Sequence, residues 1–136
     1  MKDLDDITGQ IVDAAISVHR ALGPGLLESV YERVLHRELG RRGLSAERQK
    51  LASFDFEGMR FERGLRVDLL VEALVAIEIK SVEHVTAVHK AQLLSYIRLL
   101  RLPAGLLINF GGLTLIEGLH RLFNDPCSPP PSFTRR

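Results

Sequence analysis

Apolar residues recur at every third or fourth position in the first part of the chain, which is the spacing of amphipathic helices. The pattern predicts a helix over residues 3–22, and the run Gly23-Pro24-Gly25 then breaks it. A second helix is predicted over residues 26–42, with Gly43 as its C-terminal stop after two arginines. The first third of the chain is therefore expected to form two helices.

After Gly43 the apolar residues alternate with polar ones, which is typical of strands. Strands are predicted over residues 46–56 and 60–71, with a turn between them at Glu57-Gly58 and a potential interruption of the second strand at Gly64. The remaining predicted elements are a strand at 74–81, a helix at 84–102 ended by Pro103, a strand at 104–110, a hairpin turn at Gly111-Gly112 and a strand at 113–119.

This order of elements predicts the fold class. Two helices, three strands, a helix and two strands favour an α/β domain in which a mixed sheet is flanked by helices. The pattern gives a single domain over residues 1–123. Residues 124–136 are rich in proline and are expected to form a flexible tail.

The composition is that of an ordinary globular domain and favours a cytoplasmic protein without a membrane partner. Of 136 residues, 46% are hydrophobic, and no apolar run reaches the roughly 18 residues of a membrane span. The acidic N-terminus runs into an amphipathic pattern, unlike a signal peptide. A single cysteine, Cys127, excludes an intrachain disulfide and a thiolate zinc cluster. The formal net charge of +1 neither indicates nor excludes a nucleic-acid partner.

Two charged residues interrupt the apolar strand predicted at 74–81. Glu78 and Lys80 are two positions apart, so their side chains share one face of the strand. Burying both charges is costly, on the order of several kcal/mol per ion, unless they are paired or bind a metal. Taken alone, the pair is most simply an ion pair on a solvated face.

Asp68 changes this interpretation, because it is a charge inside the preceding apolar strand. A hairpin with the three-residue loop Glu72-Ala73-Leu74 sets Asp68 directly opposite Glu78. Two converging carboxylates repel each other, so the arrangement is sensible only with a cation between them. A loop with an even number of residues would break this geometry unless a bulge restored it.

Two positions on the predicted helices add further candidates. Glu28 lies within about 20° of Leu35 and Leu39 around the second helix, in line with apolar residues, although it is also placed to cap the helix N-terminus. Gln92 and Tyr96 share a face of the third helix, and the alternative for Gln92 is a buried amide bonded to backbone.

Histidines and glycine-rich loops give weaker signals. His84 and His89 are five apart, roughly 140° around a helix, so one helix face cannot present both to a zinc ion. His36 follows Glu32 at helical spacing, which favours a surface pair over a metal site. The sequence contains neither the Gly-x-x-x-x-Gly-Lys phosphate loop nor the Gly-x-Ser-x-Gly elbow.

Six segments spread over residues 5–124 carry a joint motif. They are Gly25-Leu26-Leu27-Glu28-Ser29-Val30-Tyr31, Glu47-Arg48-Gln49, Asp68-Leu69-Leu70-Val71, Glu78-Ile79-Lys80-Ser81, Gln92-Leu93-Leu94-Ser95-Tyr96 and Leu106-Leu107-Ile108-Asn109-Phe110-Gly111. Together they resemble the GxxExxY proteins, a family grouped with the PD-(D/E)XK nuclease superfamily. The Gln92-x-x-x-Tyr96 pair resembles the helix motif of RecB-type nucleases. Val67 stands where the superfamily name has proline.

The resemblance implies a restriction-endonuclease-like fold with a metal site. Asp68 and Glu78 would bind Mg²⁺ or Mn²⁺ together with the backbone carbonyl of Ile79. Glu28 would support a metal, through a water molecule. These four residues are the implied metal ligands.

The same resemblance assigns roles around the metal. Lys80 would orient or help to deprotonate the attacking water and would stabilise charge in the transition state. Gln92 would belong to the catalytic set with Lys80, Glu28, Asp68 and Glu78. Positioning of the substrate would fall to two aromatic residues, Tyr96 and Tyr31.

We therefore expect a metal-dependent nuclease that hydrolyses phosphodiester bonds, with DNA as its substrate. The chain is too small for a separate recognition domain, so a homodimer or a partner protein is expected to supply specificity. One alternative is a catalytically silent nucleic-acid- or protein-binding module on the same fold. Another is a purely structural interaction protein, which would be favoured if Asp68 and Glu78 faced opposite sides of the sheet.

Overall fold

The helices and strands follow the predicted order in the computed structural model, which describes residues 3–125 and 127–133. The elements are α1 (Leu4–Leu22), α2 (Glu28–Arg41), β1 (Ala46–Phe56), β2 (Met59–Val71), β3 (Val75–Lys80), α3 (Ala87–Leu99), β4 (Ala104–Asn109) and β5 (Leu119–Phe123), with a short 3₁₀ helix at Ile116–Gly118.

The strands of the described residues form one five-stranded sheet in the order β1-β2-β3-β4-β5. Strands β3 and β4 are parallel and the other neighbours are antiparallel, so the sheet is mixed. Residues of α1 and α2 share a core with one face of β3, through Ile77 and Ile79. Leu93 and Ile97 of α3 pack on the other face, against Ala76. The predicted α/β fold, a mixed sheet flanked by helices, is therefore confirmed.

The first two helices end and begin close to their predicted positions, and β2 continues through Gly64, but its pairing with β1 is interrupted there. Ala52 pairs with Leu65 and Phe54 with Phe61, so Ser53 of β1 lies opposite residues 62–64 and the extra residues of this irregularity lie in β2. A Cβ on Gly64 would lie 2.8 Å from the ring of Phe54, so glycine at this position makes room for the aromatic side chain.

The third helix is shorter than the predicted range of 84–102. The Thr86 hydroxyl accepts a hydrogen bond from the backbone amide of His89, and the His89 ring accepts one from that of Thr86. This capping box fixes the first turn of α3 after Thr86. At the other end Arg101 adopts a φ of 57°, so the chain leaves the helix before Pro103 is reached.

The prediction of the last strand is wrong, because residues 113–119 do not pair after a hairpin turn at Gly111-Gly112. Gly111 packs so closely on Val82 that a Cβ would lie 2.2 Å from the Val82 carbonyl oxygen. Leu115 is buried in the core beside α1 and α2. The segment after β4 is therefore held against the end of β3, and β5 begins only at Leu119.

Part of the predicted tail over 124–136 lies outside the described residues, namely positions 126 and 134–136. Within the described part, the Ser128 carbonyl accepts a hydrogen bond from Arg101, and the Phe133 ring meets Phe56 edge-on at 5.3 Å. The flexibility of this tail stays a prediction. Among the helices of the described ranges, none is long and apolar enough to cross a membrane.

Candidate functional site

The loop between β2 and β3 has the odd number of residues that the predicted geometry requires. Leu69 pairs with Ile77 and Val71 with Val75, which leaves a three-residue loop and places Asp68 opposite Glu78. The ladder stops at Leu69, and beyond it the two acidic side chains occupy the opening between the strands. The condition that would favour a purely structural protein, carboxylates on opposite sides of the sheet, is not met.

Backbone amides hold the two carboxylates at this opening. The amide of Ile79 donates to Oδ2 of Asp68 at 2.9 Å, and the amide of Asp68 lies 3.4 Å from Oε1 of Glu78. Each acidic side chain thus reaches across to the backbone of the other strand. The carboxylates replace the ladder hydrogen bonds that the separated strands no longer make.

Burial makes Glu78 a much weaker acid than an exposed glutamate. Its side chain is 8% exposed, and this burial, followed by the negative charge of Asp68, raises the pKa of Glu78 to about 8, against a smaller opposing effect of Lys80. At neutral pH the metal-free site therefore keeps a proton on this pair. A divalent cation would replace that proton and offset both charges.

The donor atoms at the opening suit a hard divalent cation. In a strand, the N–H and C=O of one residue point to the same edge, so the Ile79 carbonyl, like its amide, points towards Asp68. The Lys80 carbonyl instead accepts from the Phe110 amide on the other side of β3, as this alternation requires. Two carboxylates and one carbonyl oxygen are the ligand types that Mg²⁺ and Mn²⁺ prefer.

Glu28 lies at the edge of this site, but not in the buried position expected from its angular alignment with Leu35 and Leu39. It is the first residue of α2 and is exposed. Its carboxylate accepts a hydrogen bond from the backbone amide of Ser81 at 3.1 Å. Among residues 3–125 and 127–133, no three acidic, histidine or cysteine side chains converge as a metal-binding group, so Glu28 does not join Asp68 and Glu78 directly.

Tyr31 is fully buried and stacks on Phe110 at 4.4 Å. Its hydroxyl donates to the Gly23 carbonyl at 2.6 Å and accepts from the Leu26 amide at 3.0 Å. These bonds fix the connection that leads into Glu28. A role of Tyr31 in positioning substrate is therefore restricted to an indirect one, through this connection.

Gln92 is exposed on α3, so the alternative of a buried amide is wrong. Its Nε2 lies 3.5 Å from the hydroxyl of Tyr96. Burial, and then the charge of the neighbouring Glu78, raise the pKa of Tyr96, which keeps this hydroxyl protonated. Both residues are thus available as hydrogen-bond donors beside the acidic pair.

Glu32 and Gln49 are site residues that the sequence interpretation missed. Glu32 is 6% exposed and accepts hydrogen bonds from Gln49, whereas its expected surface partner His36 bonds to the Ala46 carbonyl. The surface pair is therefore wrong. The angular argument applied to Glu28 could have found Glu32, which lies within about 20° of Leu39 around the helix.

Asn109, at the end of β4, fixes the segment that follows Lys80. Its side chain is buried, and its Oδ1 accepts from the amides of Val82 and Gly111 at 3.0 Å. Its Nδ2 donates to the Val82 carbonyl at 2.9 Å. One amide thus holds the chain just beyond the candidate catalytic strand.

Asn109→Ala is expected to destabilise the protein by roughly 2–4 kcal/mol, because three backbone groups lose their partner. Hydrogen exchange at the Val82 and Gly111 amides should accelerate, since both donate to this side chain. Asn124→Ala is the matched control, because the Asn124 side chain likewise bonds to backbone, donating to the carbonyls of Ile97 and Leu102, away from this segment. Equal protection of the Val82 amide in both variants would contradict the assignment.

The family model of the PD-(D/E)XK nuclease superfamily matches residues 5–122, nearly the whole chain. No curated protein and no solved structure gives a significant match. The observed mixed sheet agrees with the restriction-endonuclease-like fold expected from the sequence. The finer resemblances, to the GxxExxY family and to the RecB-type helix motif, stay predictions.

Proposed function

We propose, because this chain belongs to the PD-(D/E)XK nuclease superfamily, that it is a nuclease that depends on a divalent metal and hydrolyses phosphodiester bonds in DNA. The observation that carries the proposal is the meeting of Asp68 and Glu78 in the opening between β2 and β3. Lys80 follows on the same face of β3. A nuclease needs negative ligands for a metal and a cation near the reacting phosphate, and this opening offers both.

Asp68, Glu78 and the Ile79 carbonyl are the proposed ligands of Mg²⁺ or Mn²⁺. When bound, such an ion polarises the phosphate and lowers the pKa of a coordinated water. The chain itself supplies the preorganisation, because the Ile79 amide fixes one oxygen of Asp68 at 2.9 Å. Burial excludes water from Glu78, so its charge requires a cation nearby.

The remaining residues act on substrate and water rather than on the metal. The Lys80 ammonium group is proposed to stabilise the negative charge that develops on the phosphate and to orient the attacking water. Gln92 and Tyr96 donate hydrogen bonds from α3, and the protonated Tyr96 hydroxyl suits a phosphate oxygen. Exposed Glu28 is proposed to support the metal through water, from its position beside Ser81.

Cleavage assays on labelled single- and double-stranded DNA and on RNA test the proposal. Cleavage of DNA is expected with Mg²⁺ or Mn²⁺, and it must disappear in EDTA and in Asp68→Ala. Activity that survives Asp68→Ala would place the chemistry elsewhere. Cleavage restricted to RNA would overturn the choice of DNA while leaving the site in place.

Calorimetry with Mn²⁺ separates a nuclease from a silent binding module. A nuclease must take up Mn²⁺ in a manner that Glu78→Ala abolishes, whereas a pure binding module need not. Sedimentation analysis with and without DNA tests the further proposal that a homodimer supplies specificity. A monomer in both conditions would leave specificity to a partner protein.

A further inference from the structure

Gln49 adopts an unfavourable backbone conformation directly opposite Asp68. Its φ of 50° lies in the left-handed region, which residues with a Cβ rarely occupy. On either side the antiparallel pairing is regular, with Arg48 opposite Leu69 and Lys50 opposite Val67, but Gln49 and Asp68 do not pair. Between Arg48 and Lys50 the distortion is therefore confined to the position that faces the proposed metal ligand.

The neighbouring strand changes face at the same point. Val67 packs in the core beside α3, whereas Leu69 packs in the core beside α1 and α2. In a regular strand these two residues would share a face. The alternation of side chains between the two faces of the sheet is thus broken at Asp68. Its carboxylate points into the opening between β2 and β3 instead of towards either face.

The Gln49 side chain links Asp68 to a buried anchor. Its Nε2 donates to the Glu32 carboxylate at 2.8 and 3.0 Å, and it lies 3.5 Å from Oδ1 of Asp68. An amide nitrogen carries two hydrogens and carboxylates only accept, so one amide serves both acids. Glu32 is fixed in turn by its burial on α2 and by Arg48, whose Nε lies 3.7 Å from it.

We propose that Glu32 and Gln49 form a positioning pair that aims the Asp68 carboxylate before a metal binds. Gln49 holds Oδ1 while the Ile79 amide holds Oδ2, so both oxygens are restrained. Strained conformations persist where the surroundings enforce them, and here the enforcing contact is the buried Glu32. The inference rests on the proposed metal-dependent function, because the orientation of the Asp68 carboxylate affects metal binding only if Asp68 is a ligand.

Two variants of Gln49 test the pair by Mn²⁺ calorimetry. Gln49→Asn tolerates the left-handed backbone and keeps the amide, but it is one methylene too short to span both acids. Gln49→Gly removes the side chain and relieves the backbone. Both are expected to bind Mn²⁺ at least about tenfold more weakly, the effect typical of residues that orient metal ligands. The Mn²⁺ concentration for half-maximal cleavage should rise equally, with little change in the maximal rate.

Two control variants separate positioning from general stability. Arg63→Gly relieves another left-handed residue of the hairpin, with φ 55°, away from the acidic pair, so Mn²⁺ affinity should stay at the parent value. Glu32→Gln keeps an acceptor oxygen for the Gln49 amide and should retain most of the affinity. Glu32→Ala removes the anchor and should behave like Gln49→Gly.

The outcomes distinguish the two proposals. A parent protein that takes up neither Mn²⁺ nor Mg²⁺ refutes the proposed function and this inference with it. A parent that binds Mn²⁺, with Gln49→Asn and Gln49→Gly unchanged from it, refutes only the positioning pair. A loss in Glu32→Gln equal to that in Glu32→Ala would show that Glu32 acts by its charge, which also overturns the inference.

Discussion

Lys80→Met is expected to slow cleavage roughly 10²- to 10³-fold while Mn²⁺ binding persists, whereas Asp68→Ala is expected to remove both. Lys80 donates no ligand to a cation, and its ammonium group is proposed to act on charge that develops during the reaction. Methionine keeps the length and the apolar stem of the side chain. Because this substitution removes a positive charge beside the acidic pair, the Mn²⁺ affinity of the variant should equal or exceed that of the parent.

The measurement combines single-turnover cleavage with calorimetry at about pH 8.5. This pH lies above the pKa of Glu78, about 8, which reduces proton competition for the site; Lys80→Met removes an effect that lowers this pKa, so Mn²⁺ is added to saturation in both proteins. Lys90→Met on α3 is the matched control, and it should preserve both readouts. Loss of Mn²⁺ binding in Lys80→Met would show that Lys80 maintains the site structurally, and full activity would exclude it from catalysis.

The acidic pair could be predicted because its geometry follows from strand periodicity and loop length. Charges in two apolar strands and a three-residue loop determine that Asp68 lies opposite Glu78, and the observed pairing of Leu69 with Ile77 agrees. These relations are local in sequence. They hold for a hairpin whatever else the chain packs against it.

The burial of side chains, and contacts between residues far apart in the sequence, could not be predicted in the same way. The angular position of Glu28 gives a helix face, but the helix begins at this residue, so Glu28 is exposed while Glu32, one turn later, is buried. The angle alone does not distinguish the end of a helix from its middle. Only the packing of β1 against α2 makes that distinction.

The misplaced last strand has a similar cause. Residues 113–119 are apolar enough for a strand, but Asn109 hydrogen-bonds to the backbone of Val82, 27 residues earlier, and Gly111 packs against the same backbone. Such a contact leaves no periodic signal in the sequence. The conformation of Gln49 likewise depends on Glu32, 17 residues earlier in the chain, so its role became visible only with the fold.

Metal-free protein is expected to lose stability as the pH rises from about 5 to 8, with a limiting slope near 1.4 kcal/mol per pH unit for one proton. Burial, and then the charge of Asp68, raise the pKa of Glu78 from 4.5 to about 8. Between these values the folded protein keeps a proton that the unfolded chain has lost. The stabilisation is therefore complete below about pH 4.5 and disappears as the pH passes through 8.

Denaturant unfolding in EDTA, compared between the parent and Glu78→Gln, measures this effect. Glutamine does not titrate, so the variant should be more stable than the parent at pH 8 and the difference should shrink towards pH 5. The two proteins are compared because His120 also changes the stability with pH. Burial, and then Lys90, lower the pKa of His120, so its effect has the opposite sign, and it cancels because it is present in both proteins. Glu62→Gln is the control, since the pKa of exposed Glu62 is lowered, chiefly by its hydrogen bond to Arg60, and it does not titrate in this range.

Added Mn²⁺ should reverse the pH dependence. The ion requires both carboxylates without protons, so its stabilising effect should grow from pH 5 to 8 in the parent and be absent in Glu78→Gln. Asp68→Asn removes the second cause of the raised pKa of Glu78, so the loss of stability in EDTA should end at a lower pH and be smaller in total. Parallel pH profiles of the parent and Glu78→Gln in EDTA would show that Glu78 is ionised without a metal, and the argument from a buried, mutually repelling pair would then fail.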